Sequence, residues 1–201
     1  MAQTASKNVD SVTIWVREPE LVGAINGQHC NTLYLPDVLL NEKITATNDL
    51  NACLDGAEAV LLTVPAQFLR STCKQLSGVW PQGLPAVVCA KGIEQKTGEL
   101  MSEMLAETLP QAPLALLSGP TFAEEVALEK PTLVTLACAD EALGKKLVET
   151  LGTSTFRPYY TPDVVSVQIG GAVKNVMAIA AGIVAGKQLG DNARAALITR
   201  G

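Results

Sequence analysis

The chain is nearly without histidine: His29 is the only one in 201 residues. That inventory excludes a multi-histidine metal centre, and nothing around His29 suggests a catalytic triad. No metal ligand set is expected. The five cysteines are scattered, odd in number and never spaced C-x-x-C. They read as reduced thiols in a reducing compartment, not as a disulfide framework. No basic run is present, and the net charge of −5 argues against nucleic acid or an anionic membrane as a partner. The polar opening "MAQTASKNVD" has no apolar signal core. The longest apolar run, Val176 to Ala185, is half of the roughly 20 residues a membrane span needs, so no span is expected. There is no internal repeat. There is also no G-x-G-x-x-G turn, with which a dinucleotide-binding sheet ordinarily opens.

What is present is alternation. Strand-like segments run Ser11–Val16, Ala59–Pro65, Pro85–Ala90, Leu114–Gly119, Thr132–Cys138 and Thr155–Tyr160. Helical patterns lie between them at Gln67–Leu76, Thr97–Leu109, Thr121–Leu128 and Glu141–Leu151. Strands apolar on both faces, alternating with helices, predict an open α/β sheet covered on both sides. Beyond Pro162 the strand signal stops, and Ala and Gly dominate. The chain therefore divides into an α/β unit over 1–161 and the start of a helical second domain over 162–201.

Three segments could carry chemistry, because ligands of open parallel sheets bind beyond the carboxyl ends of the strands. "CAKGIE" puts Lys91 and Gly92 directly after a strand. The lysine could aim its charge into the crevice, or simply be a solvated turn residue. In "SGPTFAEEVA", Thr121 and Glu124 have capping-box spacing, predicting a helix start whose free N–H groups, beside Gly119, could bind an anion. An ordinary capped turn explains the same residues.

The third segment is "GGAVKNVMAIAAGIVAG". The pair Gly170-Gly171 is expected to precede a buried helix with Lys174 in or near its first turn. Burial and the positive helix end would both disfavour the ammonium and suit Lys174 to proton exchange. A lysine snorkelling to water is the alternative. Arg17 follows the first strand, where a dinucleotide's adenine ribose would lie, and Phe68 follows another strand end. A solvated charge and a core aromatic account for them equally well.

Together, "NTLYLPDVLL", "ITATNDL", "TVPAQFLR", "AKGIE", "LSGPTFAEEVA", "GGAVKNVMAIAAGI" and "GDNARAALITRG" resemble, in order and spacing, the NAD(P)-dependent glycerol-3-phosphate dehydrogenases. The resemblance runs from about Val12 to Gly201. It implies a Rossmann-like, mostly parallel sheet lacking its first βα unit, followed by the opening of an all-α domain. It implies an oxidoreductase that interconverts sn-glycerol 3-phosphate and dihydroxyacetone phosphate with NAD or NADP, feeding glycerolipid metabolism. Lys174 matches the catalytic proton acceptor. Lys91, Gly119, Thr121, Lys174 and Asn175 match substrate-binding positions, and Arg17, Phe68, Lys91 and Ala123 cofactor-binding ones. A cytoplasmic enzyme is implied, with a plastid location left open and a homodimer as one assembly.

The departures are as specific. The glycine-rich turn is absent, as are the family's aspartate near the catalytic lysine and its Arg-Asn pair for the substrate phosphate. The expectation is a chain shortened at both ends. Two alternatives remain: a catalytically incompetent fragment, and a related two-domain hydroxy-acid dehydrogenase.

Overall fold

The computed structural model describes residues 1–200. A short helix α1 (Ala2–Ala5) leads into β1 (Val12–Trp15) and α2 (Pro19–Gln28). The strands β2 (Cys30–Asn31), β3 (Leu35–Leu39) and β4 (Ile44–Thr47) follow. The main alternation is β5 (Val60–Leu62), α3 (Ala66–Leu76), β6 (Ala86–Val88), α4 (Met101–Thr108), β7 (Leu114–Ser118), α5 (Ala123–Ala127), β8 (Thr132–Ala137), α6 (Glu141–Leu151) and β9 (Phe156–Thr161). Two helices close the chain, α7 (Val164–Gly186) and α8 (Gly190–Arg200).

The principal sheet has the order β5-β6-β7-β8-β9. Its pairs are parallel except β7 with β8, which is antiparallel. The α/β expectation and the "mostly parallel" reading both hold. Period-two alternation builds a core on each face. Ala86, Val88 and Leu116 join Leu69, Cys73, Met101, Met104 and Leu105 on one side. Val87, Ala115 and Leu117 join Val134, Leu136, Leu147 and Leu151 on the other. Spacings of three and four place Leu69, Cys73 and Leu76 on one stripe of α3. The Asp140 carboxylate caps α6 by accepting from Leu143 N–H.

β1 and β4 form a separate parallel ladder. Among the described residues it shares no ladder hydrogen bonds with the five-stranded sheet. Val12 of β1 and Leu61 of β5 nevertheless pack on one cluster, with Met1 and Ala59. Burial holds the Met1 ammonium below its usual value.

Several local expectations need correction. α1, α2 and the strands β2, β3 and β4 are not expected from the sequence pattern. α4 starts at Met101, not Thr97, because residues 93–100 close a turn in which Ile93 bridges Leu100. α5 starts at Ala123 with Phe122 at its cap, and no side chain caps it. Thr121 lies outside the helix, so the capping box does not form. With only five residues, α5 offers no helix-end anion site.

The largest correction concerns the last helix pair. α7 begins at Val164, capped by Asp163 accepting from Ser166 N–H. Gly170 and Gly171 lie inside it, and Lys174 sits mid-helix, away from the positive end. The expected burial does not occur either: Gln168 is the only buried residue of its 23. By length and a mean hydropathy of 1.6, α7 could cross a membrane, which the run Val176–Ala185 alone did not suggest. Its first turns pack on the sheet through Val164 and Val167 instead, and a central lysine is costly in lipid.

Candidate active site

Lys91 leaves the carboxyl end of β6 two residues beyond Cys89. Its Nζ donates to the Gly119 carbonyl at 2.6 Å and lies 3.4 Å from Thr121 Oγ1. Burial, and then the charge of Lys174, hold its pKa below the usual lysine value. The neighbouring Cys89 thiol is pushed up to about 12 by burial. It stays protonated and acts as a packing group, not a nucleophile.

Two glycines make this convergence possible. A Cβ at Gly119 would stand 2.9 Å from Val134 Cγ1 and 3.0 Å from the Leu133 carbonyl, so only glycine fits between β7 and β8. A Cβ at Gly171 would lie 3.0 Å from Ser118 Oγ and 3.6 Å from Lys91 Cγ. α7 thus crosses close over the ends of β6 and β7, bringing Lys174 toward Lys91. Gly92 adopts φ +137, a conformation few side chains tolerate, and lets the chain turn after Lys91.

The loop carrying Lys91 is held from α3. Gln67 donates to the Ile93 carbonyl at 2.9 Å and accepts from Gln95 N–H at 3.0 Å. Arg70 Nε bonds both oxygens of the buried Glu94 at 2.8 and 3.0 Å, while its other nitrogens reach Glu99 and Glu107. Thr97 adds a hydroxyl to Glu94 at 2.7 Å. Sequence reading missed Gln67, Arg70, Glu94, Ser118 and Gln168, because their partners are distant in sequence. A lone Arg on a helical stripe gives no sign that it gathers three carboxylates.

The structure therefore gathers Lys91, Gly119, Thr121 and Lys174. Asn175 is exposed on α7 beside Lys174, and Ala123 is exposed at the start of α5. Arg17, at the end of β1, is mostly exposed and pairs with Glu18 at 3.1 Å; Glu18 also accepts from the Tyr34 hydroxyl. Phe68 presents 63% of its surface to solvent from the first turn of α3, so it is not a core aromatic. A roomier cavity of about 220 Å³ opens elsewhere, between α1 and the start of β9. Its lysines, Lys7 and Lys130, are paired with Glu129 and Glu125, which leaves little net charge for a ligand.

Two neighbouring ammonium groups over the carboxyl ends of parallel strands suit an anionic substrate bearing a carbonyl or hydroxyl oxygen. One is fixed by a carbonyl and a hydroxyl; the other lies on the exposed part of α7.

Comparison with known proteins bears directly on this arrangement. Residues 1–144 match the family model for the NAD-dependent glycerol-3-phosphate dehydrogenase N-terminus, and residues 163–201 that for its C-terminus. The chain belongs to the NAD-dependent glycerol-3-phosphate dehydrogenase family. A family member from Rhodospirillum rubrum, glycerol-3-phosphate dehydrogenase [NAD(P)+], is 57% identical over all 201 residues, which cover 58% of its own length. One from Paramagnetospirillum magneticum is 56% identical, with 73% of its length covered. The solved glycerol-3-phosphate dehydrogenase of Coxiella burnetii matches 99% of this chain at TM-score 0.87 and 35% identity, and 61% of that protein is covered. That of Saccharomyces cerevisiae matches 98% at TM-score 0.89 and 31% identity, with 62% covered. The chain thus spans less than two thirds of most of these relatives.

Proposed function

We propose that the chain carries the central part of a glycerol-3-phosphate dehydrogenase site, interconverting sn-glycerol 3-phosphate and dihydroxyacetone phosphate with NAD or NADP. The observation that carries this reading is the convergence of Lys91, Gly119 and Thr121 under α7, with Lys174 close enough to depress the Lys91 pKa. Family membership supports this reaction, and the geometry is compatible with these roles for the residues.

In the oxidative direction the C2 hydroxyl proton passes to the Lys174 amine, while the C2 hydrogen leaves with its electron pair, producing the ketone. A bound nicotinamide supplies the hydride acceptor. Lys91, held by Gly119 and Thr121, offers its remaining N–H to a substrate oxygen, and Asn175 adds an amide beside Lys174. The residues present fit the outer parts of a dinucleotide. The Arg17 guanidinium is exposed enough to meet a ribose or its phosphate, and the Phe68 ring is exposed enough to wall a base. Ala123, without a bulky side chain, leaves the approach to α5 open. The pyrophosphate would need donors that a glycine-rich turn ordinarily provides, and this sequence contains none. We assign cofactor and substrate contacts chiefly to 1–161 and proton transfer to 162–201, in a cytoplasmic enzyme.

A homodimer accords with the apolar side chains that α7 and α8 expose, among them Val176, Ile179, Ile183 and Ile198. Light scattering coupled to size exclusion reads it directly.

The test is dihydroxyacetone-phosphate-dependent oxidation of NADH and NADPH by residues 1–201. Turnover that falls by orders of magnitude in Lys174→Ala, with folding intact, supports the reading. Absence of both turnover and cofactor binding in the parent chain overturns it.

A further inference from the structure

Of all the side chains α7 carries, the one it buries is polar. Gln168 is 6% exposed. Its Oε1 accepts from Ser102 N–H at 2.9 Å, and its Nε2 donates to Ser102 Oγ at 2.9 Å and to the Val164 carbonyl at 3.3 Å. Ser102 is the second residue of α4, and its N–H is one of those a helix leaves without an internal partner. Gln168 supplies that partner from a different element. The pairing spans 66 residues of sequence.

The location gives this contact its meaning. α4 begins where the loop that starts at Lys91 ends, and Arg70 fixes that loop through Glu94 and Glu99. Lys174 lies six residues beyond Gln168, a rise of about 9 Å along the helix. Between them Gly171 sits against Ser118 and Lys91. After Gly171 the helix is largely exposed, so little else fixes its direction. A buried amide that makes two hydrogen bonds to another helix holds one register, whereas an apolar contact tolerates sliding.

We propose that Gln168 is a positioning residue: its clamp on Ser102 sets the register of α7 and thereby the placement of Lys174 relative to Lys91. This rests on the catalytic reading of Lys174 given above. Gln168 itself touches no reacting atom. Loss of the clamp lets α7 shift or tilt, and Lys174 withdraws while the sheet and Lys91 stay in place.

The experiment follows Lys91 directly, by NMR titration of lysine ε-carbons in residues 1–201. The groups facing Lys91 are the Gly119 carbonyl, the Thr121 hydroxyl, the Cys89 thiol and Lys174. In Gln168→Met, which keeps the volume but removes the amide, the Lys91 titration is expected to move up toward the ordinary lysine value as Lys174 recedes. Ser102→Ala should move it the same way, and Ser102→Thr, which keeps the hydroxyl, should not. Where turnover is measurable, kcat should fall at least tenfold in Gln168→Met while KM changes little. An unchanged Lys91 titration in a folded Gln168→Met overturns the proposal; if that variant does not fold, an unchanged titration in Ser102→Ala does so. Failure of the catalytic reading is seen separately, as absence of turnover in the parent chain.

Discussion

Gly171 presses its backbone on the Ser118 hydroxyl, with 3.0 Å between Ser118 Oγ and the position a Cβ would take. Its neighbour Gly170 has open space at the same position. The two glycines therefore answer differently to alanine. Gly170→Ala should stabilise by about 0.5–1 kcal/mol, since alanine is the better helix former. Gly171→Ala should forfeit that gain by displacing Ser118 or α7, and should disturb Lys91. Thermal unfolding of both variants decides; equal gains would show that α7 does not press on the end of β7.

Arg70 pairs with all three of Glu94, Glu99 and Glu107. The Arg70 hydrogen bonds, with Thr97 second, hold the Glu94 carboxyl below its ordinary 4.5. A depressed carboxyl contributes stability that is fully present above that ordinary value and is lost as pH falls through the folded one. The chain should therefore lose stability as pH falls below the ordinary carboxyl value of 4.5. In Arg70→Met the neutral-pH melting temperature should drop and this acid loss should shrink or reverse, because a buried, unpaired Glu94 gains from protonation. A pH series of melting temperatures for both proteins checks the sign.

Lys91 runs the other way. Its ammonium is disfavoured in the fold, first by burial and then by Lys174. Between its depressed value and the ordinary 10.5, the unfolded chain binds more protons, so this residue makes stability rise with pH across that window. Lys91→Met should abolish that rise, and should weaken any binding of dihydroxyacetone phosphate followed by calorimetry. An unaltered alkaline profile would place Lys91 in solvent.

The thiols should separate by burial. Cys73, Cys89 and Cys138 have pKa values raised chiefly by burial, Cys73 to about 11 and Cys89 to about 12. Cys30, Cys53 and Cys89 are half-buried as residues, but the Cys89 thiol itself is enclosed; burial raises Cys53 as well. Aromatic disulfide reagents near pH 8 should modify Cys30 first and Cys53 more slowly, the other three reacting only on unfolding. Fast loss of a third thiol would contradict the packing around β6.

Much of this fold could be read from residue pattern, where runs were long enough to show a period. β5 through β9 and α3 and α6 stand near their expected places, since apolar runs and stripes of three and four leave few alternatives. The strands β2, β3 and β4 could not be read this way, because Cys30-Asn31, Leu35-Pro36-Asp37-Val38-Leu39 and Ile44-Thr45-Ala46-Thr47 mix polar residues and a proline with few apolar ones, unlike the all-apolar runs of β5 and β6. Lys91 and Gly119 were legible as strand-end residues, but their hydrogen bond depends on β8 leaving room for a glycine. α7 misled for a physical reason. Its apolar composition implied burial, yet composition does not say which neighbour covers a helix, and its single buried position is the glutamine whose partner lies on α4. Lys174 is accordingly near Lys91 because of tertiary packing, not because of a helix end.

The break between β1 and β5 bears on how the molecule comes apart. Cooperative unfolding depends on contacts that span the whole sheet. Here the β1–β4 ladder and the five-stranded ladder share no ladder hydrogen bonds, and side chains around Met1, Val12 and Leu61 pack between them. The smaller ladder can open while the larger persists. Amide protons of Ile14 and Ala46 should then exchange from a sub-global state that leaves Val87 and Leu116 protected. The chain would lose the Arg17 end of β1 well before it loses Lys91 and Lys174.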